Sequence, residues 1–490
     1  MLTKGELEAT LERCKTLLRR SAFLIDAPLV SFFKDRQWEY VESLGWADYL
    51  LGLSDEELAL LPDASVFPLA GYPPQSLIEF VAECRNLSTT FPDYIAREGA
   101  AGFVKLGMSP KKQHEVSRMC DMVRESGERF PDLHQVVDFG SGKGYLPEYL
   151  ALTSPDLTVV GLDREEVNTR GGEQRNCLMN RMWGGLFRKH NPGREPPEKL
   201  NHYHPITMEL TSQHVSPDFV QLVAEEASKG CVSVSEGCIS GEKETMLLGL
   251  HACGDLTSLL LHTFLTCPAL RSIVSVGCCY HIITQRQRTP AYMTQGTHTE
   301  SLSSPDSVHA YPMSRFLQGD PVYFTRNALT LAQQAPEKSA SAGTLPPKNL
   351  FFRAVFQVLL YDLFEGPGAL NVGQAASNAP DCVSYTRAAL RKLELDTNPA
   401  DQITDSCISQ FYRKYSETHE REVYLFHQLR TLLARVIESV ILIDRLLYLH
   451  DNGVEAQIYR LFDPIISPRC FVIVANKAVA QAQGSSIQIL

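Results

Sequence analysis

The chain has 490 residues and a mass of 54.7 kDa. That length accommodates roughly two to four domains, or fewer with large insertions. Hydrophobic residues make up 44% and charged residues 21%, so the composition excludes wholesale disorder and fibrous repeats. A formal charge of −11 excludes attachment to nucleic acid by bulk positive charge, although a local basic groove is compatible with it.

Residues 1 to about 130 show helical periodicity in several pieces separated by proline-rich breaks, which predicts an all-helical N-terminal region. The first 20 residues are charged and amphipathic, so we expect no secretory signal. Thirteen cysteines lie between Cys14 and Cys470 without a repeating Cys-x-x-Cys frame. This pattern is typical of reduced thiols, and we therefore expect a cytoplasmic or nuclear protein.

From 131 to about 480, short β-branched runs alternate with helix-compatible stretches, which predicts a parallel sheet with crossover helices. The strand candidates are 135–139, 157–163, 204–210, 246–253 and 273–279, with a closing strand at 469–477. A long helical stretch, 408–450, precedes the closing strand. Its window 436–449 is apolar enough for a hydropathy scan to flag, but three charges interrupt it, so we interpret it as a buried helix and expect no membrane association.

Segments rich in Gly, Pro, Ser or Ala interrupt the second region and cannot offset their own ordering entropy. We predict long loop insertions at about 190–245, 286–310, 331–348 and 366–381, and a tail at 481–490.

The most informative segment is VVDFGSGKGYL, residues 136–146, in which a strand ends at Asp138 and glycines turn the chain into a helix. Glycines permit positive φ and close approach of a ligand, and the helix start offers free amides. The spacing is G-x-G-x-G, which is neither the dinucleotide fingerprint nor an NTPase phosphate loop. A second carboxylate, Asp163, ends the next strand 25 residues later and is placed to accept ribose hydroxyls.

An acidic strand end followed by this loop resembles class I S-adenosylmethionine-dependent methyltransferases. We therefore predict an α/β, Rossmann-like methyltransferase sheet with S-adenosyl-L-methionine as its cofactor. The resemblance implies that the following residues hold it: Asp138, Gly140, Ser141, Gly142, Gly144 and Asp163.

Four further motifs, taken with the glycine loop, make the resemblance more specific: SPKKQHEV, GLHACGDLT, VGCCYH and AYPMS. Together they resemble the methyltransferase-like protein 25 family, closest to its B form, and the match covers the catalytic scaffold. The family implies a methyltransferase of poorly defined substrate. Adenine N6 dimethylases carry an Asn-Leu-Pro-Tyr type motif at the fourth strand end, where this chain has His251-Ala252-Cys253-Gly254-Asp255. Adenine N6 chemistry is therefore not supported.

The fourth and fifth strand ends should face each other across the cofactor cleft, because open parallel sheets carry their sites at the carboxyl edge. We predict that His251, Asp255, Cys278, Tyr280 and His281 shape the acceptor pocket. In one interpretation His251 or His281 removes a proton from a hydroxyl or amine, and Asp255 orients the imidazole. These motifs also resemble a family that methylates the 2′-oxygen of transfer RNA, which favours RNA as acceptor in a local cleft.

Three alternatives stay open for the cysteines. Cys253 or Cys278 is a covalent nucleophile, although the partner motifs of cytosine C5 enzymes are missing. Cys253, Cys278, Cys279 and His281 bind a metal, which adjacent strand cysteines disfavour in the absence of a bulge because they point to opposite faces. The simplest alternative is that Cys253 and Cys278 are small buried packing residues. We assign no metal ligands from the sequence.

Two basic segments are the remaining candidates. The resemblance makes Lys112, His114 and His251 cofactor contacts, while Ser109 and Pro110 also fit an ordinary helix start. An arginine-rich run from Arg164 to Arg194 could direct RNA or an acidic protein to the cleft, but interleaved glutamates equally predict a solvated helix face. We expect RNA first and a protein substrate second, with no DNA partner. A cofactor-binding pseudoenzyme that acts as an interaction scaffold is the competing hypothesis.

Overall fold

The computed structural model describes most of the chain. The described residues are 2–88, 91–95, 107–154, 156–190, 192–195, 203–230, 243–286, 310–364, 376, 379–393 and 403–478.

The described residues form one seven-stranded sheet. Its strands are β1 (Leu133–Phe139), β2 (Thr158–Asp163), β3 (Tyr203–Thr207), β4 (Glu244–Cys253), β5 (Leu270–Cys278), β6 (Glu455–Arg460) and β7 (Phe471–Asn476). The spatial order is β3-β2-β1-β4-β5-β7-β6. The first five strands pair in parallel, whereas β7 runs antiparallel to both β5 and β6.

This strand order is that of class I S-adenosylmethionine-dependent methyltransferases, and it confirms the predicted fold class. The central strands are nearly continuous apolar runs because helices cover both faces of a parallel sheet. Thus Val136, Val137, Leu247 and Leu248 have no exposed surface. The strand order reverses between β1 and β4, which is where open α/β sheets bind their ligands.

Helices make up most of the rest. They are α1 (Lys4–Arg20), α2 (Ala22–Asp26), α3 (Gln37–Ser43), α4 (Ala47–Leu51), α5 (Asp55–Leu60), α6 (Gln75–Ser88), α7 (Pro110–Gly127), α8 (Tyr145–Thr153), α9 (Glu166–His190), α10 (Phe219–Gly230), α11 (Leu256–Thr266), α12 (Arg315–Gly319), α13 (Arg326–Leu331), α14 (Pro336–Ser341), α15 (Asn349–Phe364), α16 (Cys382–Leu393), α17 (Asp405–Leu432) and α18 (Ala434–Asp451).

The chain packs as two compact units. The first comprises Met1–Leu11, Phe91–Tyr323 and Ile441–Leu490 and contains the whole described sheet. The second comprises Glu12–Thr90 and Phe324–Val440 and is helical in its described parts. This grouping differs from a linear boundary near residue 130, because residues 324–440 follow the sheet strands in sequence yet group with 12–90.

Several sequence expectations change in detail. The expected long helix at 408–450 is two helices, α17 and α18, which break at Leu433. The expected loop at 331–348 contains a short helix, α14, and the expected insertion at 190–245 contains α10 besides β3, the strand that was predicted at 204–210. The expected loops at 286–310 and 366–381, and the tail at 481–490, lie largely outside the described residues.

The apolar window 436–449 lies within α18, and its residues are almost entirely buried. Among the described helices, none combines the length and the apolar character needed to cross a bilayer.

Candidate functional site

The glycine loop after β1 adopts the backbone geometry that its sequence predicts. Gly140, Gly142 and Gly144 have φ values of +70°, +56° and +77°, a region that other residues enter at a cost. The amides of Gly140 and Ser141 donate to the carbonyl of Leu162 at 2.8 and 3.0 Å. The loop is therefore fixed to the end of β2, and Gly144 leads directly into α8.

Asp163, the last residue of β2, forms a hydrogen bond with the same loop. Its Oδ2 accepts from the Gly142 amide at 2.9 Å. Its Oδ1 accepts from the Glu165 amide at 2.9 Å and from Asn168 Nδ2 at 3.1 Å. A carboxylate has about four acceptor positions, so these bonds leave room for further donors. The role of Asp163 toward a ribose stays a prediction.

Asp138 is a buried carboxylate with unused hydrogen-bonding capacity. It is 2% exposed, and among the described residues its Oδ1 has no hydrogen-bond partner. Burial raises the pKa of Asp138 to about 7, against the opposing influence of Lys112. A buried acceptor without a partner carries a desolvation cost that a ligand donor would relieve. Together with open space beside Gly142, where a Cβ would meet nothing within 4 Å, these residues fit the predicted cofactor.

His251 lies near the end of β4, beside the glycine loop. The strand register pairs Asp138 with Leu248, three residues before His251. His251 has a φ of +64°, which is rare for a residue with a Cβ. Its Nε2 lies 2.9 Å from Oε1 of Glu115, a fully buried carboxylate on α7. Ser467 Oγ donates to the same oxygen at 2.7 Å.

The acid/base interpretation expected Asp255 to orient the imidazole. The carboxylate that contacts His251 is instead Glu115. Asp255 immediately precedes α11, and its Oδ1 instead accepts from the Thr284 amide at 2.7 Å. Glu115 was not among the predicted site residues, which on this helix were Lys112 and His114. A signal was present, since Glu115 is adjacent to Val116 and four residues before Met119 on the apolar stripe of α7.

The charges around this pair shift both pKa values. Burial raises the pKa of Glu115, but hydrogen bonds from His251 and Ser467 and the charge of Lys112 outweigh it and lower the pKa to about 2. Burial lowers the pKa of His251, whereas Cys278 and Glu115 raise it, and the net pKa lies above the ordinary value. The geometry therefore favours an ionised Glu115 hydrogen-bonded to the imidazole.

Three cysteines meet at the ends of β4 and β5. The Sγ atoms of Cys253, Cys278 and Cys279 all lie within 4.8 Å of one another. Cys253 and Cys278 are register partners across the two strands. Cys279 follows the strand with φ 52° and ψ 49°, and its Sγ lies 3.5 Å from that of Cys278. The expectation that adjacent cysteines point apart was wrong here, because Cys279 leaves the extended conformation.

The electrostatics of the trio are uneven. The Cys253 thiol and His251 donate hydrogen bonds that lower the pKa of Cys278. The pKa values of Cys253 and Cys279 are raised, by the neighbouring Cys278 sulfur for Cys253 and by burial for Cys279.

The other predicted pocket residues have different surroundings. Tyr280 is 2% exposed, and its ring lies 5.7 Å from the Arg445 guanidinium and 5.8 Å from that of Arg469. His281 is half-buried, and its Nδ1 has no hydrogen-bond partner among the described residues. His281 is not part of the sulfur group. Tyr280 is thus a packed core residue rather than an open pocket wall.

The start of α7 matches the helix-start alternative in its backbone. Ser109 accepts from the Lys112 amide at 3.3 Å, and Pro110 is the first helical residue. Lys112 Nζ lies 3.3 Å from Glu115 Oε2. His114 Nε2 accepts from the Asp463 amide at 3.0 Å. Cofactor contacts by Lys112 and His114 stay predictions.

The arginine-rich run forms part of α9 and the residues before it. Four of its arginines pair with carboxylates: Arg164 with Glu165, Arg170 with Glu166, Arg175 with Glu148 and Arg188 with Glu195. The pairs of Arg164, Arg170 and Arg188 are exposed and fit the solvated-face interpretation, whereas Arg175 pairs with a fully buried carboxylate.

Known proteins resemble this chain over the same region. A family profile described as "Methyltransferase domain" matches residues 111–286. The human and mouse proteins named probable methyltransferase-like protein 25 are each 26% identical to it, over 76% of this chain and 75% of theirs. The crystal structure of coclaurine N-methyltransferase bound to N-methylheliamine and S-adenosylhomocysteine aligns over 97% of this chain and 96% of its own, with 11% identity and a TM-score of 0.21. That score is too low to inform on the fold, for which the strand order is the evidence.

The chain therefore carries an S-adenosylmethionine-dependent methyltransferase domain. This type of domain confirms S-adenosylmethionine as the predicted cofactor. The matched residues 111–286 span α7, the glycine loop, His251 and all three cysteines.

Proposed function

We propose that this chain methylates a hydroxyl or amine of RNA, with His251 as the general base, and that it belongs to the B form of the family it resembles. The observation that supports the proposal is the Glu115–His251 pair at the carboxyl end of β4, next to Asp138 and the glycine loop. A carboxylate–imidazole pair beside a methyl-donor site can act as a general base that deprotonates an acceptor.

The chemistry divides between donor and acceptor residues. When bound, S-adenosylmethionine supplies a methyl group on a positively charged sulfur. Asp138 and the glycine loop would orient the donor, so that displacement is in line and water is excluded. Glu115 holds Nε2 of His251, so a proton from the acceptor would be taken by Nδ1 of the neutral imidazole, in place of the hydrogen bond that His251 makes to Cys278. The buried carboxylate would then stabilise the imidazolium that forms.

The donor half of the proposal is tested by calorimetric titration of the full chain with S-adenosylmethionine. We expect Asp138→Ala and Asp163→Ala to weaken binding by about tenfold or more, since hydrogen bonds to charged groups contribute about 1.5–3 kcal/mol. The matched control is Asp132→Ala, because Asp132 is an exposed carboxylate just before β1. Absence of binding by the intact protein would overturn the enzyme proposal.

The acceptor half is tested by incubating separate RNA and protein fractions, depleted of the endogenous protein, with methyl-labelled donor. We expect label in RNA, reduced about 10²–10⁴-fold by His251→Asn, the range for loss of a general base. Asn suits this position because it tolerates the left-handed backbone that His251 adopts. Label in protein instead would point to a protein substrate. Label in neither fraction, with donor binding intact, would favour the interaction scaffold.

A further inference from the structure

The sulfur group of Cys253, Cys278 and Cys279 has a geometry that the methyl-transfer proposal does not use. From the placement of these three side chains we propose that they bind one Zn²⁺ ion at the carboxyl end of β4 and β5. The proposal does not depend on the identity of the acceptor.

The distances are those that a zinc ion requires. Zn–S bonds are about 2.3 Å, so two thiolates on a tetrahedral ion lie about 3.8 Å apart. Cys278 and Cys279 are separated by 3.5 Å at sulfur, and every pair in the group lies within 4.8 Å. A small adjustment of side-chain torsions would bring three sulfurs to one ion. A donor set of sulfur alone selects a thiophilic ion and disfavours Mg²⁺ or Ca²⁺.

The backbone assembles the group at two unusual positions. Among residues other than glycine in the described chain, positive φ occurs at Arg36, His251 and Cys279, and two of these three are at this strand edge. The left-handed conformation at Cys279 turns its thiol to the same side as that of Cys278. Strained backbone conformations concentrate at functional sites, where the surrounding structure maintains them. Simple packing of three small thiols would not require such a conformation.

The surroundings suit a thiolate-bound ion. Three thiolates and one Zn²⁺ carry a net charge of −1, and the Arg469 guanidinium acts on the Cys279 sulfur. His251 contacts Cys278 and is itself held by Glu115. Partners of this kind around a metal ligand fix its orientation and charge. Binding would release the protons that the thiols still carry.

Three protein ligands leave one coordination position open, as in catalytic zinc sites. Cys253 is exposed, and Cys278 and Cys279 are half-buried, so solvent reaches the group. A water or an acceptor atom would complete the coordination at the edge where His251 lies.

The first test is metal content. The full chain is purified under reducing conditions from zinc-supplemented cells, dialysed against a weak chelator and analysed by mass spectrometry for metals. We expect one zinc per chain in the wild type and none in the triple variant Cys253→Ser, Cys278→Ser, Cys279→Ser. Cys177→Ser is the matched control, because Cys177 is an exposed cysteine on α9, and this variant should retain the ion. Zinc in the triple variant at the wild-type level would overturn the proposal.

The second test does not depend on how the variants fold. Co²⁺ is titrated into the metal-free wild-type chain, and the absorption of a thiolate-to-cobalt charge-transfer band is recorded. We expect a band that saturates at one equivalent and disappears when Zn²⁺ is added. No band, a band that Zn²⁺ leaves unchanged, or two of these thiols joined as a disulfide in the reduced preparation would each overturn the zinc site.

Discussion

Asp138 couples the donor site to pH. Burial raises the pKa of Asp138 to about 7 in the folded protein. The folded protein therefore loses stability as the pH rises from the ordinary pKa of an aspartate toward 7. Donors on the cofactor would favour the ionised form and offset that cost. We therefore expect the affinity for S-adenosylhomocysteine to increase between about pH 5.5 and 7, by up to about tenfold per pH unit.

The measurement is calorimetry across that pH window, where the amino group of the ligand stays protonated. Asp138→Asn keeps the shape of the side chain but cannot ionise, so its affinity should be nearly independent of pH. An identical pH dependence in the wild type and the variant would show that another group titrates.

At the same scale, the sequence predicts which residues lie at the carboxyl ends of the strands, but not which side chains form hydrogen bonds with each other. The predicted group of His251, Cys278 and Asp138 does lie at one sheet edge, because strand register follows from buried apolar runs. The Glu115–His251 contact joins residues 136 positions apart. Such a contact depends on where α7 packs, which local patterns do not encode.

At the scale of elements, the stability cost of replacing a glycine by alanine should differ between positions in the glycine loop and on α9. A Cβ at Gly144 would overlap Tyr203 Oη and lie 2.9 Å from two of its ring carbons, at positive φ. At Gly142 the space is open and only the positive φ opposes a side chain, while Gly185 on α9 has neither restriction. We expect alanine to cost about 1–3 kcal/mol at Gly144 and about 1 kcal/mol at Gly142. At Gly185 it should be neutral or stabilising by up to about 1 kcal/mol.

Urea denaturation of the three full-length variants, followed by circular dichroism, measures this series. Equal losses at Gly144 and Gly185 would contradict the predicted overlap with Tyr203. S-adenosylmethionine binding by each folded variant separates an effect on the loop from an effect on the fold.

A buried ion pair of the second unit can be compared with an exposed ion pair of the first. Arg435 and Glu438 are 3% and 1% exposed and lie 2.5 Å apart, and Arg435 also pairs with Glu337 at 2.9 Å. Arg435 keeps its pair with Glu337 but loses a buried partner, so Glu438→Ala should cost about 1.5–3 kcal/mol, the range for a hydrogen bond to a charged group. Glu166→Ala, which breaks the exposed Arg170–Glu166 pair, should change stability by less than about 1 kcal/mol. Similar losses in urea denaturation would contradict this difference.

The same contact explains why a helix, α14, forms where the sequence composition predicted a loop. Its sequence is rich in Ser and Ala, but Glu337 in its first turn pairs with the buried Arg435, nearly 100 residues away. β6 was missed for a related reason. It is an edge strand in which only Ala456 and Ile458 are buried, so it lacks a continuous apolar run. The central strands were predictable because both of their faces are buried.

At the scale of the whole molecule, the order of segments along the chain does not match their grouping into compact units. Composition changes along the sequence suggested an N-terminal region followed by a catalytic one, and the contacts instead group 12–90 with 324–440. Long-range contacts between helices decide that grouping. They leave little local signal, because an amphipathic helix presents the same periodicity whichever neighbour it packs on.

The net charge of −11 bears on the proposed RNA acceptor. Four arginines of the basic run are paired with carboxylates, so within the described part of this run few cations are free to replace counterions on RNA. Each neutralised phosphate contributes about −0.7 to the slope of log affinity against log salt for a single strand. We expect a slope no steeper than about −3, corresponding to about four phosphates. Filter binding of a methyl-accepting RNA at several salt concentrations measures it, and a slope near −7 would mean that the arginine-rich run binds RNA after releasing its carboxylates.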